Sequence, residues 1–166
     1  MTIEQPKEPV EVVFTCSGTA TGKMRNELDV KMTEPMLERF AMATDEGPFH
    51  GGDASAPPPL AHFISGLTGC IMTQLRAFAK RMDVTIDALH VDARIVWQWT
   101  PKGRIYETAP KSFEIDILLD SPDPLEAQHA LIAAARKGCF VEQTLGQQNT
   151  IRHRLKTDGG FLRLKD

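Results

Sequence analysis

Residues 57–83, PPPLAHFISGLTGCIMTQLRAFAKRMD, constrain this chain more than any other stretch. Three prolines halt whatever precedes them. A proline is tolerated in the first turn of a helix because the N–H it lacks has no intrahelical partner there. Beyond them Leu60, Phe63, Ile64, Leu67, Ile71, Leu75 and Phe78 recur at spacings of three and four, the period of a helix. The other faces are mild as far as Met72, which predicts a helix covered on most sides. Gly66 and Gly69 each weaken a helix by about 1 kcal/mol against alanine, so a close approach to the backbone is expected there. Cys70 follows the second of them. Arg76, Lys80 and Arg81 give a basic end that suits the negative pole of the helix dipole.

The 166 residues fit a single domain, 1–166, with residues 1–9 as a loose, polar, proline-broken tail. A net charge of −3 argues against nucleic acid as the main partner. The longest nearly uncharged run, residues 60–74, is too short to span a bilayer, and the first residues lack a signal pattern. The expectation is a cytoplasmic protein with no membrane partner. Cys16, Cys70 and Cys139 are odd in number and widely spaced, so they read as free thiols and not as a disulfide framework. Five dispersed histidines, none closely paired with a cysteine, argue against zinc, and neither a metal nor another cofactor is expected.

Along the chain, residues 10–16 (VEVVFTC) read as a strand, residues 17–22 as turn chemistry and residues 24–32 as a second strand. Residues 40–44 add a short third strand. Residues 45–59 are rich in glycine and proline, and a loop of that length is usually functional or disordered. An ordered loop shaping the mouth of a site is one reading; a plain linker is the other. Residues 84–100 alternate through Ile86, Ala88, Val91, Ala93, Ile95 and Trp97, turn near Gly103, and return at residues 113–119. Asp123, Pro124 and Glu126 resemble a capped helix start, with the helix running to about Lys137. Residues 140–146 continue as another turn of helix or break, and residues 149–156 form a terminal strand. This order is α+β with mostly antiparallel sheets. A helix apolar nearly all round outgrows one small sheet, which suggests that a second subunit shares its burial.

Cys70 and Cys139 each follow a glycine in a helical, apolar setting. Either alone reads equally as a small buried hydrophobe. As a pair they suit redox chemistry, because an oxidised nucleophilic thiol needs a second thiol before over-oxidation. The run DEGPFHGGDASAPPPLAHFISGLTGCIMTQL, followed later by AAARKGCFVEQTL, resembles the OsmC/Ohr family of osmotically inducible and organic hydroperoxide resistance proteins. The resemblance extends over about residues 10–155. It implies an OsmC-like fold, with antiparallel sheets wrapped around a long buried central helix in an intertwined homodimer. It implies further that Cys70 attacks an organic hydroperoxide, that Cys139 resolves the sulfenic acid as a disulfide, and that an external dithiol reduces that disulfide.

In such reductases an arginine of the N-terminal hairpin, held by a glutamate at the helix start, offsets the thiolate charge. Here Leu60 and Ala61 stand at that helix start, and Arg25 is the local arginine. Glu46 and Asp53 are the nearest acids, Glu46 being the candidate partner. His50, His62 and Phe63 are candidate substrate-binding residues, although His62 reads also as a satisfied polar contact and His50 as an exposed loop residue. Cys16 reads as strand packing. Trp97 and Trp99 share a strand face, and Arg152, Arg154 and Lys156 read as a solvated one. The redox reading requires both sulfurs in one solvent-reachable cleft with a positive group beside the first. The competing readings are an OsmC-fold protein that holds a small apolar ligand between subunits, and a structural dimer.

Overall fold

A computed structural model describes residues 8–164. The chain divides into two compact units, Met1–Ile64 and Ser65–Asp166. Residues 1–7 of the expected tail lie outside the described residues; residues 8 and 9 are exposed and outside any strand.

The first unit is an antiparallel meander of β1 (Val13–Thr21), β2 (Arg25–Glu34) and β3 (Glu38–Thr44), with β2 in the centre. The residues expected to turn, 17–21, instead extend β1, and the reversal is made at Gly22 with φ of 61°. Ser17, Thr19 and Thr21 are β-compatible, so one residue able to adopt positive φ is enough for the turn. Cys16 pairs with Val30 and is exposed, not packed.

Residues 45–59 form an ordered loop. Asp45, only 2% exposed, accepts hydrogen bonds from the Glu46 N–H at 2.9 Å, the Ser55 N–H at 2.9 Å and the Ser55 hydroxyl at 2.7 Å. A short 3₁₀ turn, Pro48–His50, sits within it. A Cβ at Gly52 would lie 1.9 Å from the Glu46 carbonyl oxygen, so only glycine lets the loop close there.

Helix α1 (Pro59–Met82) begins at the third proline, and the boundary between the units falls inside it. In the second unit, β4 (Ala88–Lys102) and β5 (Ile105–Asp120) form a long hairpin turning at Gly103. A bulge between Val96 and Trp97 lies beside Pro110, which has no N–H to give the ladder. Helices α2 (Leu125–Gly138) and α3 (Phe140–Leu145) follow, with Cys139 alone between them. A second hairpin of β6 (Arg154–Thr157) and β7 (Gly160–Arg163) ends the described chain. The expected terminal strand, residues 149–156, is therefore later and shorter, and it pairs with a strand the sequence reading missed. Arg154 and Lys156 lie over the Phe161 ring, each about 5.1 Å from its centroid.

The core of this unit joins Ile71, Leu75 and Ala79 of α1 to Val84, Val91 of β4, and Leu131, Ala135 and Cys139. Leu89, Ile115, Ile117 and Leu119 pack against it from the hairpin. Two details differ from expectation. Asp123 does not cap α2: its carboxylate accepts the Thr85 N–H at 2.6 Å, and the first turn of α2 is closed on the Pro124 carbonyl. Helix α1 is not covered all round. Its fully buried residues are Leu67, Ile71, Leu75 and Ala79, one stripe at spacings of four, whereas Leu60 is 55% exposed. Nothing lies within 4 Å of where a side chain would begin at Gly66 or Gly69. The elements of the chain cover one face of the helix, and the small-residue face is left open.

Candidate active site

The two thiols of interest meet in the second unit. Cys70 sits midway along α1 and is half-buried. Cys139 reaches it from the α2–α3 junction, and the close approach depends on the preceding residue. A Cβ at Gly138 would fall 2.6 Å from the Phe78 ring of α1, so glycine lets the end of α2 come this near. Cys139 is fully buried, with an extended backbone (φ −78°, ψ 107°) that breaks the helix for one residue. Its sulfur accepts the Glu142 N–H at 3.5 Å and so caps α3, while its carbonyl accepts the Gln143 N–H at 2.9 Å.

Burial above all pushes the Cys139 thiol up to about 11; the Glu142 amide works against that, and the neighbouring Cys70 sulfur adds to the rise. At neutral pH Cys139 is therefore a protonated thiol beside Cys70. A side-chain hydrogen bond links it to the Cys70 sulfur. The expectation that both sulfurs reach solvent is corrected: Cys70 has access, Cys139 none. A resolving thiol needs to meet only the first sulfur, so partial access at Cys70 suffices chemically.

Beside the junction lies a cavity of about 510 Å³. Leu67 and Ile71 of α1, Phe113 and Ile115 of β5, and Ile132 of α2 form its apolar wall, and Arg136 and Glu142 stand on its lining as an ion pair 3.0 Å apart.

The remaining sequence candidates, Arg25, Glu46, His50, His62 and Phe63, belong to the first unit. Arg25 opens β2. Its Nε donates to Glu27 at 2.7 Å, and one Nη donates to both the Ser55 carbonyl and hydroxyl at 3.0 Å. The expected carboxylate, Glu46, is not its partner: Glu46 serves the loop through its backbone, and its carbonyl accepts the Ala54 N–H at 3.0 Å. Asp53 pairs instead with Lys23 at 2.6 Å. The acid that grips Arg25 is thus two residues along its own strand, reinforced by a serine that the buried Asp45 orients. A same-face pair at i and i+2 of a strand was readable at Arg25 and Glu27. Ser55 and Asp45 carried no such signal, since a loop has no period. His62 holds its ring nitrogen 3.0 Å from the Ala43 carbonyl, the satisfied contact weighed above. His50 ends the 3₁₀ turn, edge-on to Phe49 at 4.9 Å, and Phe63 is 37% exposed on α1. Among the described residues no cluster of three His, Cys, Asp or Glu could hold a metal ion.

A model of the OsmC-like protein family matches residues 51–154, the span holding α1, the long hairpin, Cys70 and Cys139. This chain belongs to the OsmC-like family. An OsmC-like hydroperoxide resistance protein from Jannaschia sp. CCS1 is 67% identical, with a TM-score of 0.65 over 92% of this chain and 98% of that one. An OsmC-like protein from Mycoplasma pneumoniae, at 18% identity and a TM-score of 0.59, covers 82% of this chain and 87% of its own. The organic hydroperoxide resistance protein OsmC of Legionella pneumophila, at 14% and 0.56, covers 85% and 91%. At those identities the last two share the fold alone. No curated protein matches the sequence. The α+β class with antiparallel sheets is thus that of the OsmC-like fold. No helix among the described residues of this OsmC-like protein is long and apolar enough to cross a membrane.

Proposed function

We propose that this OsmC-like protein is a cytoplasmic, thiol-dependent peroxidase for organic hydroperoxides of the fatty or alkyl class, acting in the oxidative stress response. The observation that carries the reading is the meeting of a solvent-reachable thiol, Cys70, with a protonated second thiol, Cys139. The Cys70 thiolate attacks the distal peroxide oxygen. The O–O bond breaks, the alkoxide takes a proton and leaves as the alcohol, and Cys70 becomes a sulfenic acid. The Cys139 sulfur then displaces the hydroxyl from Cys70; its proton leaves with that hydroxyl as water, and a disulfide forms. An external dithiol returns the pair to two thiols and is itself oxidised. Its attack falls on Cys70, since Cys139 is sealed from solvent.

In this proposal Arg25 supplies the cation that favours the thiolate, oriented by Glu27 and Ser55, and His50, His62 and Phe63 belong to substrate binding. The chain acts as one OsmC-like domain in a homodimer. Support for the second copy comes from burial: among the described residues only nine apolar residues are buried, a thin core for a chain of 166.

The test is turnover of cumene hydroperoxide with a dithiol, followed by mass spectrometry of the oxidised protein. A Cys70–Cys139 crosslink and loss of turnover in Cys70→Ser are expected; consumption that survives Cys70→Ser sinks the reading. The cavity of about 510 Å³ favours one alternative, a binding protein for a small apolar ligand. Retention of an apolar probe by Cys70→Ser, with no peroxide reactivity in the parent, is its signature.

A further inference from the structure

The ion pair across the α2–α3 junction has a geometry that a surface contact does not require. Arg136 lies in the last turn of α2 and Glu142 in the first turn of α3, and between the two helices stands only Cys139. Arg136 Nε donates to Glu142 Oε1 at 3.0 Å. Gln143 Nε2 donates to the Arg136 carbonyl at 3.0 Å, a second tie over the same residue. The backbone amide of the tied Glu142 is the one that the Cys139 sulfur accepts. Glu142 is a quarter exposed, 24%, and so is held more firmly than an ordinary surface acid.

We infer that the Arg136–Glu142 pair positions the second thiol, keeping Cys139 Sγ seated on the Glu142 amide beside Cys70 and so deciding how often a Cys70 sulfenic acid is captured as disulfide. The inference rests on the peroxidase reading above. The capture step needs the Cys139 sulfur close to Cys70 and partly anionic as its proton leaves. The Glu142 N–H points at that developing charge, and it opposes the rise that burial imposes on the thiol. When the junction loosens, the sulfur spends less time in line. The half-buried Cys70 sulfenic acid then meets a second hydroperoxide, which transfers another oxygen to sulfur, leaves as alcohol, and carries Cys70 to the sulfinic acid. Arg136 and Glu142 are positioning residues here, since neither touches the reacting sulfur with its charged group.

The experiment treats the full chain and its Arg136→Gln and Glu142→Gln variants with an excess of cumene hydroperoxide. Peptide mass spectrometry then gives the ratio of Cys70–Cys139 disulfide to Cys70 sulfinic acid, and dimedone trapping gives the lifetime of the sulfenic acid. The arginine of this pair is mostly exposed, so the pair contributes little to global stability; both variants are expected to fold, and the ratio is expected to drop roughly fivefold. Exchanging the charges, Arg136→Glu with Glu142→Arg, is expected to recover the parent ratio; failure to recover counts against the pair. Variants that crosslink as completely as the parent overturn the inference while leaving the peroxidase reading intact. A parent whose Cys70 is never oxidised overturns the peroxidase reading, and this inference with it.

Discussion

Cys139 has a pKa raised from the ordinary thiol value of 9.0 to about 11, with burial as the first cause. The fold therefore favours the neutral form. The stability that comes from this is complete below about pH 9 and is lost as pH climbs toward 11, because the unfolded chain ionises first. Urea denaturation across that window is expected to show the parent losing more stability than Cys139→Ala; parallel losses would refute it. Asp45 has the opposite sign. Hydrogen bonds from Ser55, backbone first and hydroxyl next, hold its carboxyl below the usual carboxylate range, so its contribution is present above that range and lost on acidification. Asp45→Ala strips the acceptor from Ser55 and the Glu46 amide together. A Tm lower by roughly 5 °C and faster proteolysis within residues 45–59 are expected. Proteolysis at the parent rate would show that Asp45 does not hold the loop.

At the scale of elements, α1 was the most legible feature, because a spacing of three and four sustained from Leu60 to Phe78 admits one conformation. Its end was legible too: Asp83 adopts a positive φ of 55°, and the Val84 N–H closes onto the Ala79 carbonyl. The first hairpin was displaced because threonine and serine serve turn and strand alike. The last hairpin was missed because Asp158 and Gly159 end a short, charged strand with little apolar alternation. Where α2 meets the core, Leu131 is fully buried among α1, β4 and Cys139. Leu131→Ala is expected to cost roughly 2–5 kcal/mol by removing contacts that the tied helices cannot close up. Equilibrium unfolding measures it, and a loss under about 1 kcal/mol would mean the site collapses freely.

For the whole molecule, the open face of α1 at Gly66 and Gly69, with Leu60 and Phe63 exposed beside it, is the surface expected to meet a second copy. Sedimentation equilibrium should return twice the chain mass, and Gly66→Leu should shift it toward one; a monomeric parent would refute the homodimer. The sequence by itself determined the α+β class, the central helix, the family and the two thiols in their glycine-led settings. Each of these depends on periodicity or on a local motif, which neighbouring residues carry between them. Only the tertiary structure decided that Cys139 is sealed while Cys70 is not, that Arg25 is gripped by Glu27 and Ser55 instead of Glu46, and that Arg136 and Glu142 bridge the junction. Those facts depend on which surfaces exclude water and on which side chains a loop or a one-residue helix break brings within 3 Å. Burial and pairing of that kind are set by packing between segments far apart in the chain, for which no local pattern stands as a sign.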